Sequence, residues 1–450
     1  MKNYVKRDLK YIWHPCGQMK DYEEFNPIVI EKGEGVWLYD IQGNRYLDCV
    51  SSWWTNTLGH SNKRINKAIK EQIDNVEHVI FANFSNKPAI DLSEKLVNIT
   101  PDRLTKVFFS DNGSSAVEIA LKMSFHYHMQ RGNTKKKRFM ALSNAYHGET
   151  LGALSVCDID EYNNIYKPLL LDTIRVEGPD CYRCKYGYTK DNCNAECFES
   201  MEKCMEEKYD EISAVIVEPM VQGAAGMKIY SPDYLKKLRK ICDKYNVHLI
   251  ADEIAVGFGR TGKMFACNHA EISPDFMCLS KGISAGYMPM SVVMTTDEIY
   301  NCFYGNYNER KAFLHSHTYA GNAISCAIAL ESLKIFKEDN IIENNRKKGK
   351  LIRKLALEKA KTSKHVGEVR SIGMITAIEI VEDKLTKRSY PREIRVGYEI
   401  YKIALGKGVL LRPIGDVLYF IPPYIINEDE IKFMVNICFE SIEEYFIENN

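Results

Sequence analysis

The chain has 450 residues, carries 60 Lys and Arg against 60 Asp and Glu, and is 45% hydrophobic. That length allows a large core and more than one domain, while the zero net charge offers no footing for nucleic acid or an acidic membrane surface. No apolar run approaches the roughly 20 residues of a membrane span. Met1–Trp13 lacks the apolar centre of a secretory signal, and the 14 scattered Cys point to reduced thiols and a cytoplasmic protein.

Residues 1–60 read as an irregular N-terminal segment. Within it Val36–Asp40, the pair Gly43-Asn44 and Arg45–Asp48 predict a hairpin. Ser51-Ser52-Trp53-Trp54 follows. In a strand, adjacent Trp residues point to opposite faces, so one is expected in the core and the other free to wall a pocket; the other reading packs both inside. Lys63–His78 and Lys87–Asn98 have helical spacing, with Pro88 suited to a first helical position. Val107–Phe109 predicts a short strand, Ser110–Ser115 a turn of small residues, and Ala116–Met129 a helix. That sequence of elements offers free N–H groups and the positive dipole end to a phosphate, with Gly113 allowing close approach and Ser114 or Ser115 adding a hydroxyl. A plain capped helix is the alternative.

Arg138–Leu142 is a further strand, ending at Ser143–Gly148, where Tyr146 can stack on a flat ring. Thr173–Val176 and Ser213–Val217 are strands too; the second runs into Glu218-Pro219, and Ser231–Tyr245 is an amphipathic helix. Strands alternating with helices over residues 60–300 predict an α/β fold with a mostly parallel, doubly wound sheet. Cys181, Cys184, Cys193 and Cys197 interrupt this pattern. The ligand types suit zinc, but the middle gap is short for the common zinc folds, so a reduced surface insert without metal is expected, a structural metal being the other reading. Later come a strand at Met290–Thr295, the stretch Leu314–Gly321, a helix from Asn322 and a charged helix over Asp339–Lys361. Gly373–Ile380, Arg392–Lys407, Val409–Arg412, Leu418–Ile421 and Glu428–Ile447 then alternate strand and helix. The expected domains are an N-terminal segment, 1–60, joining the small domain; a large domain, 61–325, with a Cys-rich insert at 181–204; and a small α+β domain, 326–450.

The chemistry concentrates in residues 247–287. Two apolar runs, His248–Ala251 and Phe276–Leu279, read as buried parallel strands. The first ends in Asp252 and the second, by way of Ser280, in Lys281. An acid and an amine delivered to the carboxyl edge of an open sheet suit pyridoxal 5′-phosphate, whose aldehyde takes a Lys as a Schiff base and whose ring nitrogen needs a carboxylate. Taken singly, Asp252 could be a helix cap and Lys281 a surface residue. The intervening Gly257–Lys263 matches G-x-G-x-x-G and nearly a P-loop, but Met264 stands where a P-loop needs Ser or Thr, and Glu271 comes too early for a dinucleotide fingerprint.

These residues resemble the fold-type I, class III pyridoxal-phosphate aminotransferases over essentially the full length. The matching segments are Ile12–Pro15, Ser51–Trp54, Phe109–Ser114, Tyr146–Gly148 with Ser155–Asp158, Ile250–Lys263, and Arg412-Pro413 with Ile421–Tyr424. Within that family the Trp pair and the Arg-Pro…Pro-Pro-Tyr tail resemble the branch acting on 8-amino-7-oxononanoate. The resemblance implies transamination of that keto acid to 7,8-diaminononanoate in biotin biosynthesis, with S-adenosylmethionine or lysine as amino donor; the alternative is another class III ω-aminotransferase acting on a diamine or ω-amino acid. It implies that Lys281 holds the cofactor and shuttles the proton, that Asp252 binds the ring nitrogen, that Tyr146 stacks near the ring, and that Gly113 and Ser114 hold the phosphate. His317 and Thr318 would also bind the cofactor, Thr318 by reaching the phosphate of a neighbouring subunit, implying a homodimer with active sites at its interface. Trp53, Tyr146 and Ser316 would line the substrate pocket, Arg412 would pair with the keto acid's distal carboxylate, and Arg260 would hold the donor's carboxylate. Three positions depart from the family. Cys16 stands where a Tyr is common, and Ser316-His317 replaces the Gly-Pro that precedes Thr in members using S-adenosylmethionine.

Overall fold

A computed structural model describes residues 3–190 and 192–449. Three strands near the N-terminus, β1 (Ile30–Glu34), β2 (Trp37–Asp40) and β3 (Arg45–Asp48), form an antiparallel meander. The turn between β2 and β3 is built on Asp40, whose Oδ1 accepts the N–H groups of Gln42 and Asn44 at 2.9 and 2.8 Å.

The central strands are β4 (Lys106–Ser110), β5 (Arg138–Leu142), β6 (Thr173–Val176), β7 (Ile212–Val217), β10 (His248–Asp252), β11 (Phe276–Leu279) and β12 (Ser291–Thr295). A small hairpin, β8 (Val221–Gln222) and β9 (Lys228–Ile229), lies between β7 and β10 in sequence. The seven-stranded sheet runs β4-β12-β11-β10-β7-β5-β6. Only β12 runs against its neighbours; the pairs from β11 to β6 are parallel. Every residue of β7, β10, β11 and β12 is buried, as a sheet covered by helices on both faces requires. Each fully buried Leu or Ile there contributes about 1.5–3 kcal/mol.

After the helices Ala323–Glu338 and Ile341–Ala360 come β13 (Val366–Ile372), β14 (Ile375–Ile380), β15 (Val409–Leu410) and β16 (Val417–Phe420). β13, β14 and β16 form an antiparallel sheet, while β15 pairs in parallel with β3, so residues from both ends of the chain share one sheet. The helices Ile341–Ala360, Val396–Gly406 and Glu428–Glu448 pack together beside these strands.

Several elements differ from the sequence expectation. The Trp53-Trp54 stretch is not a strand. Ser51, Ser52, Trp53 and Trp54 have φ of 49, 45, 70 and 70°, four successive left-handed residues without a glycine. Such backbone is costly, and local bonds hold it. Asp48 Oδ1 accepts the Ser52 N–H at 2.9 Å and its Oδ2 the Ser52 hydroxyl at 2.8 Å, while Ser51 Oγ donates to Ile421 O at 2.6 Å. The outcome is still one buried and one open indole: Trp54 is 5% exposed and Trp53 45%. The helix expected from Ala116 begins at Gly113, because Asn112 caps it by accepting the Ser115 N–H at 3.0 Å. The helix expected over Lys63–His78 stops at Ile73, where Gln72 folds back to donate to Val76 O at 2.8 Å. The helix expected from Arg392 starts at Val396, after Arg395 takes a φ of 53°.

Candidate active site

Four adjacent strands deliver polar groups to one sheet edge: Lys281 follows β11, Asp252 ends β10, Glu218 follows β7, and Tyr146 with His147 follows β5. The buried Asp252 accepts the Ile254 N–H on Oδ1 at 3.1 Å, and its Oδ2 lies 2.7 Å from His147 Nδ1. A carboxylate only accepts, so Nδ1 carries the shared proton. The His147 side chain is fully enclosed, and its Nε2 has no partner among the described residues.

Lys281 stands in the left-handed region at a φ of 47°, and its Nζ lies 4.3 Å from the centroid of the Trp54 ring. Burial lowers its pKa to about 8, against the pull of Asp252 and Glu218. Glu218 accepts the Tyr146 N–H at 3.1 Å and the Gly223 N–H at 2.9 Å. Burial raises this carboxyl to about 7. Tyr146 donates its hydroxyl to Glu149 Oε1 at 2.7 Å, and its ring faces that of Tyr162 edge-on with 5.5 Å between centroids. Burial, then Glu149, pushes its phenol up.

Gly113 is the first residue of an 18-residue helix. A Cβ on it would lie 3.1 Å from the Ile254 side chain, and a Cβ on Gly148, at a φ of +124°, only 2.2 Å from Ser114 Oγ. Ser114 Oγ accepts the Glu149 N–H at 3.2 Å. The helix start and the loop after β5 thus meet at Gly148 with no room for a side chain, and Gly113 packs tightly on Ile254.

Arg412 projects over Trp53, its guanidinium carbon 5.4 Å from the ring centroid, and donates to Cys16 O at 3.2 Å. No acid pairs with it among the described residues. Cys16 lies beside Tyr162, whose phenol is pushed up to about 12 by burial first and then by that thiol. Arg260 is 1% exposed; its Nη1 and Nη2 donate to Pro422 O and Trp54 O at 3.2 and 3.0 Å, and its Nε has no described partner. His317 Nδ1 lies 2.9 Å from Asp111 Oδ1, close in sequence to Gly113. Ser316 and Thr318 are exposed on either side of it, and within this chain they are not brought together with Lys281.

The glycine-rich stretch 257–262 is not a phosphate cradle. It leads into a 3₁₀ turn, Ala266–His269, whose first N–H groups, those of Ala266 and Cys267, are already held by Glu253 at 2.8 and 2.7 Å.

Residues 18–442 match the family model described as aminotransferase class-III. The chain belongs to the class-III aminotransferases. An adenosylmethionine-8-amino-7-oxononanoate aminotransferase of Geobacter sulfurreducens is 45% identical, with 95% of each chain covered. A protein of the same name from Methanocaldococcus jannaschii is 44% identical, with 98% of each covered, and its crystal structure superposes with a TM-score of 0.93 at 98% coverage of each chain and 43% identity. An omega transaminase of Pseudomonas jessenii in complex with PMP superposes with a TM-score of 0.93 at 31% identity and 98% coverage of each.

Class-III aminotransferases work through pyridoxal 5′-phosphate, which is therefore the cofactor of this enzyme. The residues present fit it: a buried carboxylate at the end of β10, a lysine beyond β11, and a helix N-terminus at Gly113 packed on Ile254, two residues past that carboxylate. Three further residues join this cluster without a role assigned from the sequence: His147 against Asp252, Trp54 against Lys281, and Tyr162 against Tyr146 and Cys16. His147 follows Tyr146 directly and could have been suspected. Tyr162 lies in a short turn of helix, Asp160–Asn163, with no signal pointing to the pocket.

Proposed function

We propose that this class-III aminotransferase converts 8-amino-7-oxononanoate to 7,8-diaminononanoate, a step of biotin biosynthesis, with S-adenosylmethionine as amino donor. One observation carries the substrate assignment. Arg412, without an acid partner among the described residues, lies over the open Trp53 ring. A guanidinium beside an exposed indole suits a long alkyl chain ending in a carboxylate. The names borne by relatives at 41–45% identity over nearly the whole chain support the same reading.

The residue roles follow from chemistry. Pyridoxal phosphate supplies, when bound, an electrophilic aldehyde and an electron-withdrawing ring. Asp252, oriented by His147 and the Ile254 N–H, would accept the ring N–H. Gly113 and Ser114 would hold the phosphate through backbone N–H groups and a hydroxyl, and Tyr146 would cover a ring face. Lys281, with a pKa of about 8, would take and return the proton at the reacting carbon, because proton transfer works best near the operating pH. Trp53 would hold the alkyl chain and Arg412 its carboxylate.

Thr318 would serve the site of a second copy, which makes the enzyme a homodimer. Exposed apolar side chains at Ile80, Phe81, Phe84, Tyr307, Leu314 and Tyr319 support such an interface. We read residues 61–325 as the cofactor-binding domain, and 1–60 with 326–450 as the smaller part. No helix among the described residues is long and apolar enough to cross a membrane, in keeping with a cytoplasmic enzyme.

The test is turnover of 8-amino-7-oxononanoate by the purified protein, with S-adenosylmethionine and lysine supplied separately. Diamine formed with S-adenosylmethionine is the expected result. Diamine formed only with lysine would overturn the donor. Turnover of putrescine or 4-aminobutyrate with 2-oxoglutarate, and none of the keto acid, would overturn the substrate.

A further inference from the structure

Residues 180–197 pose a physical problem that the transamination site does not answer. From the end of β6 to a 3₁₀ turn at Glu196–Phe198 they contain no helix or strand among the described residues, and only Ala195 is buried. Structureless loops longer than about 12–15 residues are uncommon in compact proteins, and a segment without its own core needs a staple. Ion pairs supply part of it. Asp180 meets Lys228 at 2.9 Å, Arg183 pairs with Glu379, and Arg183 Nη2 donates to Lys387 O at 2.9 Å.

We propose that Cys181, Cys184, Cys193 and Cys197 bind a structural zinc ion. All four are half-buried free thiols, and all four line one small cavity of about 40 Å³. Only one of them has a described hydrogen bond, a weak one from Cys193 Sγ to Lys190 O at 3.9 Å. The chain between the two Cys pairs reverses at Gly187, whose φ is +77° and whose N–H donates to Cys184 O at 3.1 Å. This turn brings the distant pair, Cys193 and Cys197, back to the first.

As placed, no three ligand-type side chains among the described residues converge on one point. Tetrahedral coordination with Zn–S bonds of about 2.3 Å requires the sulfurs to rotate inward, and their lack of strong hydrogen bonds leaves them free to do so. Four sulfurs and no nitrogen or oxygen ligand select a soft tetrahedral ion over magnesium or calcium. The ion would fasten the insert, and through Arg183 and Glu379 would steady its contact with the β13–β14 hairpin, without touching Lys281.

The test begins with the full chain purified under reducing conditions, its metal measured by mass spectrometry after dialysis. One zinc per chain is expected, with release by a mercurial reagent in step with the titration of four thiols. Cys184→Ser with Cys197→Ser should lose nearly all the zinc, melt at a lower temperature and be cut by trypsin between Tyr182 and Lys203, while still binding pyridoxal phosphate. A wild-type chain that retains no zinc after incubation with zinc chloride and gel filtration would overturn the proposal, as would a double variant that keeps its zinc. Should the double variant not fold, zinc content and mercurial release of the wild type decide alone.

Discussion

His147 Nδ1 lies 2.7 Å from Asp252 Oδ2, deep beneath the carboxyl edge of the sheet, and this contact fixes the direction in which the carboxylate faces. Asp252→Asn should weaken binding of pyridoxal phosphate about 10- to 100-fold, the equivalent of one hydrogen bond to a charged group, about 1.5–3 kcal/mol. His147→Phe should weaken it in the same direction but less, since the carboxylate remains. Fluorescence titration of the cofactor-free protein measures both; an unchanged Kd in Asp252→Asn would remove the residue from its role.

Lys281→Ala is expected to lower turnover by at least about 100-fold, the lower end of what a positioned proton-transfer group contributes. The cofactor-free protein carries a second signature of the same residue. Its amine falls from 10.5 to about 8 on folding, through burial. Between those values the unfolded chain holds the proton and the folded chain does not, so stability should rise with pH across that window. Urea denaturation at pH 8 and pH 10 should show the rise in wild type and a smaller one in Lys281→Ala.

Glu218 has the opposite sign. Burial raises its carboxyl from 4.5 to about 7, so between those values the folded chain keeps a proton that the unfolded chain has lost, and stability falls as pH rises. Glu253, also raised by burial to about 7, adds to the same slope. Glu218→Gln should flatten the denaturation profile between pH 4.5 and 7 without abolishing its slope, because Glu253 remains. An unaltered slope would show that Glu218 is ionised throughout.

Arg412→Ala should raise KM for the keto acid about 10- to 100-fold, the loss of a charge-assisted hydrogen-bonded pair, while leaving the donor half-reaction nearly unchanged. Single-turnover kinetics of each half-reaction separate the two. Equal losses in both would mean that the contact with Cys16 O and Trp53 is structural.

Gly148→Ala tests the phosphate end. The added Cβ would lie 2.2 Å from Ser114 Oγ, at a φ of +124°. We expect a lower affinity for pyridoxal phosphate and for free phosphate alike, whereas Gly132→Ala, at a φ of +79° with open space around it, should affect stability alone.

Much of this site was legible because its chemistry is local. Asp252 and Lys281 each follow a short apolar run that reads as a buried strand, and Gly113 opens the helix that follows a strand. The Trp pair was harder. The expectation of one open and one buried indole matches Trp53 and Trp54, but for the wrong backbone reason, since a run of four left-handed residues depends on Asp48 and on Ile421, far away in sequence.

Strand periodicity, the small-residue turn before a helix and the acid–amine pair were thus enough, from sequence alone, for an α/β sheet with a cofactor edge. They depend on neighbours along the chain. The order β11-β10-β7-β5, which sets Lys281, Asp252, Glu218 and Tyr146 side by side, and the meetings of His147 with Asp252, Trp54 with Lys281, and Arg412 with Trp53 and Cys16, belong to the tertiary structure. They join residues separated by up to nearly the whole chain, and burial, not local propensity, decides which of them meet.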